Sequence, residues 1–165
     1  MGGHGRRLLA AGISAIALTG LLAIDVPGAD AAVSISTTAG PCANDQNAIL
    51  ARVNKERTKR KLPPLVLSSR LSTAAQNHSN WMARTPKFSH DGWVERVKAT
   101  GYPAGIWGQN IALGQVNADL AMYAWMNSAG HKSNILSAKF RRLGVGCTRR
   151  GTTGNGYYWT QNFGS

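Results

Sequence analysis

The chain has 165 residues and a mass of 17.6 kDa, so its length favours a single folded domain. Hydrophobic residues make up 43% of the sequence and charged residues only 16%, which excludes the charge-rich composition of a disordered chain. Nineteen Lys and Arg against seven Asp and Glu give a net charge of +12. That excess predicts attraction to anionic partners.

Residues 1–31 have the three parts of a secretory signal peptide. Arg6 and Arg7 precede a mostly apolar run over residues 8–24, and Ala-Asp-Ala at 29–31 is typical of a cleavage site. The run is short for a membrane span, and no later segment is long enough. We therefore expect cleavage after Ala31, a secreted protein and no transmembrane segment afterwards. The removed part carries two charges of each sign, so the net charge would remain +12.

Residues 32–41 are small and polar and end in Gly-Pro, which predicts a flexible tether before a domain over residues 42–165. Cys42 and Cys147 both fall in that domain. An even cysteine count in an exported protein favours a disulfide, with two buried thiols as the alternative. Closing a loop of about 100 residues would stabilise the fold by up to about 4.7 kcal/mol.

Apolar spacing predicts a helix from Asn44 to about Lys59, with Asn44 or Asp45 as the cap. Further helices are predicted over residues 69–83 behind Ser68, 92–100 behind Asp91, and 118–127 behind Asn117. Residues 111–113 predict a short strand. Residues 143–148 and 157–163 predict a hairpin around a turn at 152–156. Helices beside a small antiparallel sheet indicate an α+β fold.

Motifs for several common activities are absent from the sequence. It contains no glycine-rich phosphate loop, CxxC pair, HExxH or GxSxG. His78 lies on the apolar stripe of its helix, which favours a hydrogen-bonded core histidine. His90 and His131 stand at helix boundaries, where side chains more often face a cleft. Their separation along the chain does not by itself predict a shared site.

Five segments in a fixed order resemble a known family. They are Leu71 followed by Ala-Gln-Asn-His at 75–78, Phe-Ser-His at 88–90, Gly-Gln-Asn-Ile-Ala at 108–112, Trp-Met-Asn-Ser-Ala-Gly-His-Lys-Ser-Asn-Ile-Leu at 125–136, and Tyr-Trp-Thr-Gln-Asn-Phe-Gly at 158–164. This order closely resembles the CAP superfamily, which comprises cysteine-rich secretory proteins, insect antigen 5, plant pathogenesis-related proteins and bacterial SCP-like extracellular proteins. The resemblance covers residues 42–164. It implies a secreted, usually disulfide-stabilised α-β-α sandwich with three layers.

The resemblance also implies a cavity, which in the family often holds zinc or another divalent ion between two His and two Glu. His90 and His131 match the two histidines, whereas Gln109 and Ser128 stand where the family has its glutamates. Zinc sites normally use three or four protein ligands, and a carboxylate offsets part of the metal charge. We therefore expect any zinc or other divalent ion to bind weakly at His90 and His131, with no cofactor required. A hydrogen-bonded polar cavity is the alternative.

Three functions follow as hypotheses. The first is a non-enzymatic binding protein for lipid or sterol, and the second is adhesion to anionic cell-wall polymers or acidic head groups. The third, ranked last, is a weak metal-dependent hydrolase using His90 and His131. Nucleic acid is disfavoured because no recognition motif accompanies the charge. A monomer is expected. The residues predicted to meet an anionic surface are Lys55, Arg57, Lys59, Arg60, Lys61, Arg141 and Arg142, with Arg149 and Arg150 as a further basic pair.

Overall fold

The computed structural model describes residue 42 and residues 45–85, 87–151 and 156–165. The predicted signal peptide, the tether, the candidate cap Asn44 and residues 152–155 of the final turn lie outside the described residues. The described elements are α1 (Asp45–Thr58), β1 (Val66–Leu67), α2 (Ser69–Arg84), α3 (Trp93–Ala99), β2 (Trp107–Leu113), α4 (Ala118–Met126), α5 (Ala129–Ile135), β3 (Arg142–Arg149) and β4 (Tyr157–Gly164). None of the described helices has the length and apolar character needed to cross a membrane.

The four strands form one sheet in the order β1-β3-β4-β2. The predicted hairpin is confirmed: β3 and β4 pair antiparallel, with Val145 opposite Gln161. β2 pairs antiparallel with β4 on its other side, and β1 pairs parallel with β3 through Val66 and Leu67. The predicted α+β sandwich is therefore confirmed. The sheet is larger than expected and mixed, because β2 has seven residues and β1 adds a parallel pair.

Helices cover both faces of the sheet. α2 and α3 pack on one face, whereas α1, α4 and α5 pack on the other. Every residue of β4 is buried as a result. The larger core lies under α1, α4 and α5 and is centred on Trp125 and Trp159. The predicted disulfide between Cys42 and Cys147 is confirmed and ties the chain before α1 to β3.

α2 lies directly on the backbone of β3. A Cβ atom at Gly144 would overlap the backbone of Leu71, and one at Gly146 would overlap the backbone of Gln76. β1 covers only the start of β3, so α2 side chains satisfy the rest of its edge. The side-chain amide of Gln76 accepts from Cys147 N at 3.2 Å and donates to Cys147 O at 2.9 Å. These two bonds replace those of a neighbouring strand.

Most predicted helix boundaries agree with the structure, but one cap is wrong. Ser68 and Asn117 cap α2 and α4 through their side-chain oxygens, as predicted. Asp91 does not cap α3. The cap is Gly92, in a left-handed conformation with φ 67° and no side-chain hydrogen bond. The Asp91 carboxylate instead lies 3.7 Å from the Lys87 ammonium. The sequence analysis also missed β1 and α5.

The position of Arg57 differs from the prediction that this residue meets an anionic surface. Its side chain is fully buried and therefore cannot meet a polymer or a membrane. The guanidinium donates to the carbonyl oxygens of Pro63, Ile135 and Ser137, each at 2.8 Å. Desolvation by burial lowers the pKa of this guanidinium. Arg57 thus joins α1 to the carboxyl end of α5, where the helix dipole favours a positive charge.

The close approach of α2 and β3 makes a testable prediction. Gly144→Ala should lower the free energy of unfolding by more than about 3 kcal/mol or prevent folding, because backbone atoms cannot yield as a flexible side chain does. Gly130→Ala is the matched control, since a Cβ there meets nothing within 4 Å. Urea denaturation of both variants measures the difference. Wild-type stability in Gly144→Ala would contradict the packing.

Candidate functional site

The loop between α2 and α3 carries His90 and is anchored by a buried histidine. His78 of α2 is fully buried, as predicted. Its Nε2 donates to the carbonyl oxygen of Ser89 at 2.9 Å, and its Nδ1 accepts from Arg96 Nη1 at 3.4 Å. Arg96 also donates to the Asp91 carbonyl oxygen at 2.7 Å. The backbone carbonyl oxygens of both residues that flank His90 therefore accept hydrogen bonds from side chains.

These contacts require His78 to be neutral. A carbonyl only accepts and a guanidinium only donates, so one ring nitrogen carries the proton and the other does not. Burial, with help from the nearby charge of Arg96, lowers the pKa of His78 to about 4. Arg96 itself is held by stacking over Trp81, with its Cζ 4.7 Å from the ring centroid.

His90 and Gln109 are in direct contact, as part of a chain of side chains. His90 is exposed and its Nδ1 donates to Gln109 Oε1 at 2.7 Å. Gln109 lies in β2 and is only 7% exposed. Its Nε2 donates to Asn162 Oδ1 at 3.0 Å, from the neighbouring strand. Both ends of the Gln109 amide are thus already used within the protein.

Ser128 and His131 lie at the start of α5 and line a groove beside β2. The groove has a volume of about 430 Å³. Its lining is mainly apolar and consists of Phe88, Ile111, Ala112, Leu113, Gln115, Ala124, Trp125, Ser128 and His131. Ser128 is the residue before the first turn of α5, yet its hydroxyl does not cap the helix. Ser128 and His131 are both half-buried.

An amide cluster that the sequence analysis did not identify holds α5 in place. Asn110 donates to the His131 carbonyl oxygen and to Gln161 Oε1, each at 3.0 Å. Asn134 of α5 donates to Asn110 Oδ1 at 2.9 Å. Asn110 and Gln161 are fully buried. The only signal for this cluster in the sequence was its place within the motif segments at 108–112, 125–136 and 158–164.

The four predicted cavity residues approach one another in two pairs around the β2 edge. His90 bonds to Gln109, and Ser128 shares the groove lining with His131. Burial lowers the pKa of His131, and the nearby His90 lowers this pKa further. The imidazoles of His90 and His131 therefore lie close enough to interact electrostatically. Like charges repel, so protonation of both rings at once is disfavoured.

These side chains do not fit a metal cage. The Gln109 oxygen accepts from His90, which leaves two imidazoles and a serine hydroxyl as ligands and supplies no negative charge. Within residues 42, 45–85, 87–151 and 156–165, the one group of three candidate ligands at metal spacing is Cys42, Asp45 and Cys147. Both of these cysteines are in the disulfide.

The remaining residues of the predicted anionic surface are all exposed. They are Lys55, Lys59, Arg60, Lys61, Arg141 and Arg142. Lys59 and Arg60 form ion pairs of 2.7 Å with Glu56, which reduces the charge they present. Their role in binding stays a prediction.

The buried His78 predicts how stability depends on pH. Its pKa is about 4 in the folded protein and near the ordinary value of 6.5 when unfolded, so the unfolded chain binds more protons between these values. The contribution of His78 to the free energy of unfolding is therefore fully present above pH 6.5. It is lost as the pH falls toward 4, which lowers the free energy of unfolding by about 2 kcal/mol after allowance for solvent screening.

His78→Gln tests this dependence, because the glutamine amide keeps a donor for Ser89 but does not titrate. We expect urea denaturation between pH 7 and pH 4 to show a flatter curve for this variant. The pKa of His131 is also lowered, so His131 adds a pH dependence of the same sign. This contribution is present in both the wild type and His78→Gln and does not affect their difference. Identical pH curves for the two proteins would refute the assignment.

Comparison with known proteins agrees with this architecture. Residues 50–163 match the cysteine-rich secretory protein family, CAP. The uncharacterized protein YkwD of Bacillus subtilis is 33% identical over 135 residues, which are 78% of this chain and 51% of that protein. The uncharacterized membrane protein YlbC of the same species is 31% identical over 120 residues, which are 70% of this chain and 33% of YlbC. The chain thus spans about half or less of these relatives.

Solved structures show the same fold. An extracellular protein with an SCP domain from Bacillus anthracis is 28% identical with a TM-score of 0.66, over 73% of this chain and 40% of that chain. An outer surface protein of Borrelia burgdorferi has a TM-score of 0.64 at 19% identity, over 75% of this chain and 94% of that chain. The family match covers most of the domain, and the fold and the sequence motifs agree with it. The chain therefore belongs to the CAP, or cysteine-rich secretory protein, family.

Proposed function

We propose that this protein is a secreted, non-enzymatic binding protein that holds a lipid or sterol-like ligand in the groove beside β2. The observation that carries the proposal is the composition of the groove, which has an apolar wall and a few polar groups. Phe88 is 51% exposed and Leu113 is 36% exposed, so apolar surface is open to a ligand. Burying such surface supplies the main driving force for binding a lipid.

The polar groups of the groove suit a hydroxyl or carbonyl head group. Within the described residues, Oε1 of Gln115 is buried and has no hydrogen-bond partner. A buried acceptor without a partner is costly, and a ligand hydroxyl would satisfy this oxygen once the Gln115 side chain turns toward the groove. His131 has a lowered pKa and is neutral at physiological pH, so it can donate from one nitrogen and accept at the other.

Export is part of the proposal. It is supported by the signal-peptide pattern of residues 1–31 and by the presence of an extracellular protein and an outer surface protein among the structural neighbours. The Cys42–Cys147 disulfide also suits an oxidising compartment.

Two features favour binding over hydrolysis. Of the residues that the structure describes, none that lines the groove is a carboxylate, so no acidic group in this lining orients the His131 ring. In the part of the chain that the structure describes, no hydrogen bond joins Ser128 to a histidine. The same features argue that any zinc or other divalent ion binds weakly. A metal-dependent hydrolase at His90 and His131 therefore ranks below a binding protein.

Adhesion to an anionic surface is a second candidate, favoured by the exposed cations at the end of α1 and the start of β3. Lys61 and Arg141 are exposed there, and Arg141 is close enough to the buried Arg57 to lower the pKa of that residue. Long-range attraction of this kind weakens as salt screens the charges, whereas apolar burial does not.

If the groove binds lipid, parinaric acid or dehydroergosterol should bind saturably. Fluorescence energy transfer from tryptophan to these ligands measures the binding. Leu113→Ser should weaken binding by about tenfold, because it removes the burial of one leucine side chain. Leu120→Ser is the matched control, since Leu120 is 46% exposed but lies outside the groove lining.

A salt series separates the two candidates. Binding that persists at high salt and is lost in Leu113→Ser supports the groove. Equal loss in Leu113→Ser and Leu120→Ser would contradict the groove, and binding abolished by salt would favour the anionic surface.

A further inference from the structure

A second pocket, of about 340 Å³, lies where the last turn of α2 meets the end of β3. Its lining consists of Asn80, Ala83, Arg84, Thr148, Arg149 and Arg150. Three of these six residues are arginines, and all three are exposed. The pocket is remote from the cations at the start of β3, because a strand of eight residues separates Arg142 from Arg149 and spans about 23 Å.

One neutral group of this pocket, the Asn80 amide, is oriented as a donor. Asn80 Oδ1 accepts from Thr148 Oγ1 at 2.6 Å and from Gln76 Nε2 at 3.1 Å. These bonds use the amide oxygen of Asn80 and fix its orientation, so the amide nitrogen is left as the group that can face a ligand. Arg149 is held away from this amide, because alternation along β3 turns its side chain to the face opposite Thr148, where its Cζ lies 5.3 Å from the ring centroid of Tyr157.

Among the described residues, no acidic side chain lines the pocket. The ion pairs among the described residues involve Arg52, Lys59, Arg60 and Lys87, and not Arg84 or Arg150. Asp45 lies near Cys147. Successive side chains of a strand point to opposite faces, so Cys147 and Thr148 face away from each other and Asp45 lies on the other side of β3.

We propose that this pocket binds a phosphate group. Arginine pairs with phosphate through two parallel hydrogen bonds, and the guanidiniums of Arg84 and Arg150 together with the Asn80 amide offer donors from several directions, which suits a tetrahedral oxyanion better than a single planar carboxylate. The carboxyl end of α2 disfavours an anion, so the arginines must outweigh the helix dipole. The proposal does not depend on the groove beside β2, and either site can exist without the other.

NMR spectroscopy with inorganic phosphate as the probe tests this site at constant ionic strength. The side-chain Nε–Hε signals of Arg84 and Arg150 should shift saturably as phosphate replaces chloride. Arg84→Gln should weaken the affinity by about tenfold. Arg70→Gln is the matched control, because it removes the same charge from an exposed position in the first turn of the same helix.

The outcomes are distinct. Saturable shifts that weaken in Arg84→Gln and persist in Arg70→Gln support the site. Shifts that do not saturate, or that weaken equally in both variants, overturn it, because net charge alone would then explain them. Dispersed spectra show that each variant is folded.

Two further arms of the experiment identify the source of the phosphate group. One uses a soluble glycerol phosphate polymer, and the other uses vesicles of equal parts phosphatidylcholine and phosphatidylglycerol. Tighter binding to the polymer than to free phosphate, lost in Arg84→Gln, would assign a phosphodiester polymer. The same pattern with vesicles would assign a lipid head group. If Arg84→Gln changes neither, the proposed site is not the one used.

Discussion

The direct packing of α2 on the backbone of β3 is the contact on which the rest of the domain depends. Gly144 and Gly146 leave no side chain between helix and strand, so α2 lies closer to the sheet than an ordinary helix layer. Gln76 then reaches the edge of β3 and satisfies Cys147. Because the helix is fixed in this way, every residue further along α2 is also fixed relative to the sheet.

That constraint extends to the candidate site. His78 lies about two turns beyond Leu71 on α2 and holds the backbone next to His90. His90 in turn bonds to Gln109 in β2, so the loop, helix and sheet form one connected unit. On the other face, Asn110 fixes α5 and with it His131. Buried polar groups therefore fix the two sides of the site separately. His78 holds the loop that carries His90, and Asn110 holds α5 with His131.

Gln109 and Ser128, which the motif resemblance sets where the family has glutamates, leave the site without a carboxylate at these two positions. A carboxylate would stay charged and attract a cation, whereas the Gln109 amide closes a hydrogen-bonded chain from His90 to Asn162. A protein with a net charge of +12 further disfavours a bound cation. Lipid binding, adhesion to an anionic surface and a phosphate site remain proposals. Among the described residues, no acidic side chain lines the groove beside β2 or the pocket between α2 and the end of β3.

Sequence patterns predicted the long helices well because apolar spacing and capping residues are local signals. β1 and α5 were missed because they are short and owe their form to tertiary contacts: β1 has two residues, and both ends of α5 are held by Asn110 and Arg57. Arg57 was misassigned because a run of basic residues does not reveal which one is buried. The two histidines were identified from motifs, whereas the amide cluster was not, since buried amides in strands have no distinctive local pattern.

Native mass spectrometry tests the central claim that the groove beside β2 binds an organic ligand rather than a metal. The protein would be purified without chelators from the medium of an expressing bacterium and sprayed with its disulfide intact. We expect a bound organic mass that is reduced in Leu113→Ser, with no stoichiometric zinc. One zinc ion per chain, lost in His131→Ala, would contradict it.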